Sequence, residues 1–572
     1  MLKRAVLVSL ALLVGGPVAA GEMESPVITL SEVNWDAAAA TLTGYTTEPP
    51  AAAFAGLNAV TAKRLAGIAK SAVPVLLPFD VDAFRTDASG GNADAASSDK
   101  YFGRFHPTKF FLPGPAGYDA TFVASGFDSH FDRPIVIEIT GAAFVYALDG
   151  PNNIEKELPP PKELTEAFPG IRRIFSEAHL RYAFERFGVP YVVSIQCYDR
   201  PPMHRHLSCR EADPIAVAFL RQLRTAGGTP AKLHDPVTDL SRPTAKSDFT
   251  YYSPGDLIEN TGWRKMPGRT DYHVYARMRF PIAFAPAYVK SQSFMPWGDC
   301  YRTGMIGRMG KKGAPYRCKV NDKPLVFDES AAENFTYPWR DNFCEQRDFL
   351  VGQCPGGYGH QGEDIRPAQC VLNNAEADRC LPYQDYVAAV HDGVIRRMPG
   401  YLGAYIVTNN ENEFVRFRYL HMNPQFMDAD GLLNGRQVSQ GEIIGKVATW
   451  GDFKNGTSYH LHFNIQVFTS IGWVWVNPYM TLVAAYERLV GGRGTEIRPG
   501  EPVPPVPVKL PVILHPMPAT QAPTASASPA APPEPPAKVK EASTERAKQH
   551  RYRYRHRPYH RIRHRRRHEA AN

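Results

Sequence analysis

The segment from Ser458 to Val467 constrains the fold most, because its polar and apolar residues alternate strictly. Such alternation predicts a half-buried β-strand, with one face packed on a core and the other face polar. The polar face would direct a pair of histidines into a cleft, where they could meet a metal and a substrate. The alternative is an incidental or structural pair, which is how we interpret His204 and His206. The polar face consists of His460, His462, Asn464 and Gln466, and the apolar face of Leu461, Phe463, Ile465 and Val467.

A glycine-rich loop far upstream offers two more metal ligands. His360 and Asp364 lie four residues apart and follow the glycines of residues 356–359. Imidazole and carboxylate donors suit zinc, and a catalytic zinc typically has three protein ligands and one position left for water or substrate. One histidine of the strand would complete the set. A third strand-like run, from Phe414 to Met422, carries His421 at its end, next to Met422. This histidine strengthens the prediction of a zinc site.

These segments resemble the lysostaphin or LytM-type zinc metallopeptidases, which cut peptide bridges in peptidoglycan. The resemblance covers about residues 340–485, and the motifs follow the order that the family has. No family is recognised for the N-terminal region. The segments that carry the resemblance are His360–Asp364, Val387–Ile395, Tyr419–Met422, Gly435–Val438, Gly441–Gly445, His460–Phe463 and Val476–Tyr479.

The resemblance implies a compact, mainly antiparallel β catalytic domain that holds one Zn2+ in a cleft on one sheet. It implies that His360, Asp364 and His462 are the zinc ligands. It also implies that His421 and His460 are the catalytic histidines. Zinc would lower the pKa of a water, and the two imidazoles would accept its proton and stabilise the developing oxyanion.

The chain departs from the family between Asp364 and Val387, where a longer loop carries Cys370, Cys380 and acidic residues. This insertion lies next to the predicted metal, so it could shape substrate access or cover the cleft. Glu363 adjoins a ligand. We interpret it as a solvated side chain, with a general base as the alternative.

The first residues and the cysteines predict an exported protein. A basic start, an apolar run from Ala5 to Val14 and small residues up to Ala20 are typical of a signal peptide, so the mature chain would begin near Gly21. We expect a periplasmic or envelope-associated enzyme, with secretion as the alternative. Eight cysteines in an exported chain favour disulfides. Their spacing favours the pairs Cys197–Cys209, Cys300–Cys318, Cys344–Cys354 and Cys370–Cys380.

We expect residues 21–335 to form a mixed α/β region of unknown role, which could be regulatory or wall-binding. The catalytic domain would follow at residues 336–485. The apolar run Ile135–Ile139 indicates a strand. The spacing in Ile174–Phe187 and Ile215–Leu223 indicates helices.

The C-terminal part predicts a tether. Residues 486–545 are rich in proline and alanine, which favours a semi-rigid spacer. Residues 546–572 hold ten arginines and one lysine against one glutamate, whereas the whole chain carries +8. Such a tail would be attracted to anionic envelope polymers or lipid head groups. Nucleic acid is disfavoured by the signal peptide, and a merely solvated, disordered tail is the alternative.

The sequence therefore predicts an exported zinc endopeptidase that hydrolyses peptide cross-links of peptidoglycan. One alternative is a non-catalytic or latent regulator of other cell-wall hydrolases on the same fold. Degenerate members of the family lose metal ligands, whereas this chain keeps all five matched positions. The other alternative is a zinc protease that acts on protein substrates.

Overall fold

The computed structural model describes residues 24–233, 271–289 and 335–496 with gaps, and short strand segments between residues 249 and 324. The longest gaps in these ranges are 92–98, 149–155, 198–206 and 345–350. The predicted signal peptide, most of the linker, the basic tail and the pair His204 and His206 lie outside the described residues. No helix in the described part of the chain is long and apolar enough to cross a membrane.

The N-terminal region is built around a seven-stranded antiparallel sheet, which we call the N-terminal sheet. The expected strand at 135–139 is confirmed within the third strand. The spatial order is β1-β2-β3-β7-β6-β5-β4. The strands are β1 Phe105–Gly114, β2 Gly117–Ala124, β3 Ile135–Ala142, β4 Lys156–Leu158, β5 Arg172–Ser176, β6 His179–Arg186 and β7 Val189–Gln196.

The helix expected over Ile174–Phe187 is wrong, because this stretch forms strands β5 and β6. Phe187 and Gly188 both have positive φ and form the two-residue turn between β6 and β7, a geometry typical of β-hairpins. Residues 180–184 of β6 are all buried, so this strand is covered on both faces. The helix expected near Ile215 is confirmed.

Seven α-helices flank the sheets in the described residues. Side chains cap three of them, since Asn34, Asp80 and Asn423 accept hydrogen bonds from the backbone N–H groups of Ala37, Ala83 and Gln425, respectively. The helices are α1 Trp35–Ala39, α2 Pro50–Thr61, α3 Val81–Ser89, α4 Lys162–Ala167, α5 Ala212–Arg221, α6 Pro424–Ala429 and α7 Tyr479–Val490.

A second antiparallel sheet of eight strands, which we call the site sheet, holds the predicted ligands. Its spatial order is β8-β9-β14-β12-β11-β10-β13, and β15 pairs with the far half of β14. The mainly antiparallel β fold predicted for this region is thereby confirmed. The strands are β8 Ala287–Val289, β9 Glu363–Pro367, β10 Gly393–Arg396, β11 Ala404–Val407, β12 Val415–Leu420, β13 Gln437–Val438, β14 Leu461–Thr469 and β15 Gly472–Val476.

Strand β8 comes from residues that the sequence assigns to the N-terminal region, and it forms one edge of the site sheet beside β9. The domain boundaries stay predictions. The remaining strands form small sheets or edges. They are Ile28–Leu30, Val75–Leu77, Phe144–Tyr146, Arg224–Gly227, Phe249–Tyr251, Asp299–Cys300, Cys318–Val320, Lys323–Pro324, Leu372–Asn373, Glu376–Cys380, Tyr386–Ala388, Ile443–Lys446 and Gly494–Glu496.

The two sheets meet through polar side chains. Arg416 on β12 donates to Asp119 Oδ2 of β2 at 2.5 Å and to Glu138 Oε2 of β3 at 3.1 Å. Arg396 on β10 forms an ion pair with the same glutamate, and Trp473 Nε1 donates to Thr140 Oγ1 at 3.1 Å. We call Arg396, Arg416 and Trp473 the docked end of the site sheet.

Three of the four predicted disulfides are present, namely Cys197–Cys209, Cys344–Cys354 and Cys370–Cys380. Cys300 and Cys318 face each other in register on paired strands, and their side chains lie outside the described set. The pair Cys344–Cys354 closes a short loop just before His360. Closing that loop removes conformational freedom from a segment that precedes a predicted ligand.

Candidate metal centre

Strand pairing brings the distant ligand residues together. In the register of the site sheet, His462 on β14 lies opposite Asp364 on β9 and opposite Leu420 on β12. His360 lies three residues before the start of β9, and His421 immediately follows β12. Antiparallel pairing of β14 with both neighbours therefore gathers the predicted residues at one end of the sheet.

Three donor atoms converge at this point. His360 Nε2 lies 2.9 Å from His462 Nδ1, and Asp364 Oδ1 lies 2.9 Å from the same nitrogen. His360 Nε2 and Asp364 Oδ1 are 3.3 Å apart. Within the described residues these three side chains form a group able to hold a metal ion, with ligand atoms within 4.8 Å of one another. They are the three residues that the sequence predicts as ligands.

The hydrogen bonds on the outer side of the rings leave lone pairs facing inward. His360 Nδ1 is 3.1 Å from the carbonyl oxygen of Asn342, so it must donate there and Nε2 carries a lone pair. His460 Nδ1 is 3.0 Å from the carbonyl oxygen of Ser458, so its Nε2 also carries a lone pair, 3.2 Å from Asp364 Oδ1. Lone pairs of two imidazoles and a carboxylate oxygen thus converge in one buried cluster, which favours a cation among them. The donor set therefore fits a divalent cation such as zinc.

Orphaned polar atoms support the same fit. Asp364 Oδ2, His460 Nε2 and His462 Nε2 are buried and have no hydrogen-bond partner in the described part of the structure. Burial lowers the pKa of His462 to about 3. Burial raises the pKa of Asp364, but His360 and His460 outweigh it and hold that pKa well below its usual range. A neutral imidazole and an ionised carboxylate are the forms that bind metal.

His421 lies beside the ligand cluster, and two hydrogen bonds with one residue fix its position. Its Nδ1 donates to the carbonyl oxygen of Trp450 at 2.6 Å, and the backbone N–H of Trp450 donates to the His421 carbonyl at 3.3 Å. Its φ of 70° is in the left-handed region, which is strained for a non-glycine residue. Burial, with His460 and His462 nearby, holds its pKa well below the usual value. The ring is therefore neutral at pH 7 and its Nε2 can accept a proton.

His460 is held by a second set of contacts. Ser458 Oγ lies 2.9 Å from its Nδ1, and Arg366 Nη2 donates to that same hydroxyl at 3.2 Å. The rings of His421 and His460 are 4.7 Å apart, centroid to centroid. The structure thus brings together all five residues that the sequence predicts for the site.

Asn342 and Glu363 take positions that the sequence analysis does not foresee. The Asn342 side-chain oxygen lies 3.1 Å from His360 Nδ1 and accepts from the backbone N–H of Asp364. The interpretation of Glu363 as a solvated side chain is wrong, because it is fully buried. Its carboxylate accepts the backbone N–H groups of Asn342 and Phe343 at 3.0 and 3.1 Å. Glu363 faces away from the metal cluster and anchors the loop that orients His360.

Gly362 allows the ligand loop to approach β14 closely. A Cβ at this position would lie 2.2 Å from the carbonyl oxygen of Phe463 and 2.6 Å from the Asn464 side chain. No L side chain fits there without moving the backbone of β14. The glycine between His360 and Asp364 is therefore required by packing against the strand that carries His462.

Strand β14 is buried on both faces rather than on one. His460, His462, Asn464 and Gln466 are at most 5% exposed, so the expected half-buried strand with an open polar face is wrong. The N-terminal sheet covers the docked end of this face, since Gly472 packs against Val192 and Arg181. At the ligand end, Arg418 and His421 are only partly buried, so the face approaches the surface there.

Comparison with known proteins agrees with this geometry. Residues 377–478 match the model of Peptidase family M23, a range that contains His421, His460 and His462 and begins after His360 and Asp364. No curated protein is significantly similar to the chain. A solved structure described as a candidate glycyl-glycine endopeptidase lytM from Ruminococcus gnavus is 21% identical, with a TM-score of 0.18. The match covers 25% of this chain and about half, 53%, of that one, and a TM-score this low carries no argument.

Proposed function

We propose, from the premise that this chain carries a peptidase family M23 domain over residues 377–478, that it is an exported zinc-dependent endopeptidase acting on the peptide cross-links of peptidoglycan. The observation that carries the proposal is the convergence of His360 Nε2, Asp364 Oδ1 and His462 Nδ1. Two imidazoles and one carboxylate, three protein ligands in all, are the ligand number of a catalytic rather than a structural zinc site.

The chain's own residues would share the work as follows. His360, Asp364 and His462 would hold the metal, which when bound supplies a Lewis acid and a water of lowered pKa. His421 is neutral and hydrogen-bonded through Nδ1, so its Nε2 can take a proton from the attacking water. His460, fixed by Ser458, can orient that water and donate to the departing amine once protonated.

Burial of the centre favours a second candidate, a latent form of the same enzyme. All three ligand residues are at most 5% exposed, and in the latent form a segment that covers the centre would have to move before a polymeric substrate binds. The full set of ligands supports an enzyme that is opened rather than a regulator that has lost its chemistry. Export and an envelope location are part of this proposal and rest on the predicted signal peptide.

The test is the peptide-fragment profile that the mature full-length chain releases from purified sacculi, with zinc content measured on the same sample. We expect cross-linked dimers to become monomers, one zinc per chain, and no release after chelation or in His460→Ala. His106→Ala is the matched control, because His106 is exposed on β1 of the N-terminal sheet, where its ring contacts Ser125 Oγ.

Three outcomes would redirect the proposal. Release that survives chelation would contradict a zinc mechanism. Cleavage of unfolded protein but not of sacculi would replace the substrate class. Stoichiometric zinc without release would favour the latent form, and limited proteolysis of the full chain should then produce activity.

A further inference from the structure

A second cluster of polar side chains lies next to the metal centre on the same face of the site sheet. In the register of β12 and β14, Arg418 lies opposite Asn464, one pleat from the pair of Leu420 and His462. Trp475 on β15 lies opposite Gln466. Two residues along a strand span about 7 Å. The cluster is therefore about two residues of an extended peptide away from the metal ligands.

Several buried atoms in this cluster have no hydrogen-bond partner in the described structure. They are both amide atoms of Asn464, the side-chain oxygen of Gln466 and the indole N–H of Trp475. Asn464 is fully buried, and the other two side chains are 5% exposed. A buried donor or acceptor without a partner costs free energy, so such a group indicates a place where a ligand completes the hydrogen bonds.

Arg418 supplies a charge to this cluster. Its guanidinium lies 5.2 Å from the Trp475 ring centroid and 5.6 Å from that of Tyr405. One nitrogen donates to Gln361 Oε1 at 3.3 Å. No carboxylate of the described residues pairs with Arg418, although Arg416, two positions earlier, pairs with two. A guanidinium keeps its proton and offers a planar fork that matches a carboxylate.

We propose that Arg418, Asn464 and Trp475 form a subsite that binds a free carboxylate of the substrate, carried by a residue next to the scissile bond. The inference rests on the proposed function, because it places an acidic peptide beside the metal centre. Arg418 would bind the two carboxylate oxygens, and the Asn464 amide and Trp475 N–H would complete their hydrogen bonds. Arg418 and Tyr405 are half-buried, so a ligand would enter from their side.

The experiment compares one substrate in two forms, a cross-linked muropeptide dimer and the same dimer with its carboxyl groups converted to amides. Binding to the chelated full-length chain is measured by thermophoresis, and hydrolysis by the zinc-loaded chain is followed separately. We expect amidation to weaken binding to the wild type by about 10- to 100-fold, the range for a hydrogen bond to a charged group. Arg418→Gln should bind both forms equally weakly, and Arg418→Lys should retain part of the preference.

Arg210→Gln is the matched control, because Arg210 is exposed and lies in the N-terminal region; it should behave as the wild type. The proposal is overturned if the wild type binds both dimers alike or binds neither, or if a folded Arg418→Gln keeps the preference. Folding of each variant is checked by its thermal midpoint. A binding preference without hydrolysis would leave the subsite standing and favour the latent form, and no hydrolysis even after limited proteolysis would contradict the peptidase proposal.

Discussion

The two ends of the polar face of the site sheet contain similar residues but pair them differently. At the docked end, Arg416 is buried and bonded to Asp119 and Glu138 of the N-terminal sheet. At the metal end, Asp364 is equally buried, yet its carboxylate faces the imidazoles of His360, His460 and His462 instead of a guanidinium. Pairs of fixed opposite charge hold the two sheets together, whereas a buried carboxylate among imidazoles marks where a metal ion binds.

The largest effect is expected from removing a ligand at the metal end. Asp364→Ala should lower turnover by more than about 100-fold, which is the upper range for residues that only support a ligand. Zinc, measured by mass spectrometry of the purified chain, should be lost with it. The metal-free protein should be no less stable than the metal-free wild type, because the substitution removes a buried carboxylate that faces lone pairs.

Asp430→Ala is the control for this prediction, since Asp430 is exposed at the end of helix α6. A clear loss of stability in metal-free Asp364→Ala would mean that the cluster is structural. The contrast between the two ends would then disappear.

The docked end should show the opposite behaviour. Arg416→Ala leaves Asp119 and Glu138 buried with less counter-charge, so it should reduce the free energy of unfolding by about 3–5 kcal/mol. The measurement is urea denaturation followed by tryptophan fluorescence. The double change Arg416→Met and Asp119→Asn should recover most of this loss, because it removes one charge of each sign and leaves Glu138 paired with Arg396. No recovery would show that size and packing, rather than charge pairing, hold the sheets together.

The sequence is sufficient to predict the metal end and insufficient to predict the docked end. Alternation in β14 indicates the pair His460 and His462, and the family resemblance implies the roles of His360, Asp364 and His421. Strand pairing brings these five residues together. Arg416 and Arg418 look alike in sequence, two positions apart on one strand. Only the tertiary fold distinguishes them, since the carboxylates that bind Arg416 come from strands almost three hundred residues earlier.

Burial of Glu363 has the same explanation. Its neighbours in sequence suggest a loop in solvent, whereas its partners, the backbone N–H groups of Asn342 and Phe343, belong to a segment about twenty residues upstream. No hydrophobic period signals such a contact. The false helix over Ile174–Phe187 has a different cause, because the turn at Gly188 that joins β6 to β7 outweighs a short stretch of helical spacing.

Replacing Glu363 at the metal end should have an intermediate effect, a partial loss of zinc affinity. Glu363→Ala removes the acceptor of the Asn342 N–H and leaves the Phe343 N–H to Asp341 Oδ1, so it loosens Asn342, which orients His360. Zinc affinity, measured by competition with a chelator, should fall about 10- to 100-fold. Glu363→Gln retains one acceptor oxygen and should lose less. An unchanged affinity in Glu363→Ala with an intact fold would show that His360 is held by the disulfide loop and strand pairing alone.

The smallest effect on stability is expected from replacing His391. This histidine is paired with a carboxylate, as Arg416 is at the docked end. His391 Nε2 lies 2.8 Å from Glu413 Oε2, and its Nδ1 is 2.7 Å from the carbonyl oxygen of Asp392. Burial lowers the pKa of His391, but the bond to Glu413 outweighs burial and the pKa is raised above 6.5. The pKa values of the metal-site histidines His421 and His462 are lowered instead, because no hydrogen bond to a carboxylate outweighs the effect of burial.

Because the pKa of His391 is higher in the folded state than its unfolded value of 6.5, protonation of His391 stabilises the fold. This stabilisation is fully present below pH 6.5 and is lost as the pH rises through the folded-state pKa. His391→Asn should therefore cost about 0.5–1 kcal/mol of unfolding free energy at pH 6 and less at pH 9. Glu413→Gln should remove the same pH dependence, and the double variant should add nothing beyond either single change. An equal loss of unfolding free energy in His391→Asn at pH 6 and pH 9 would contradict this prediction. It would mean that the packing of the His391 ring, and not its charge, stabilises the fold.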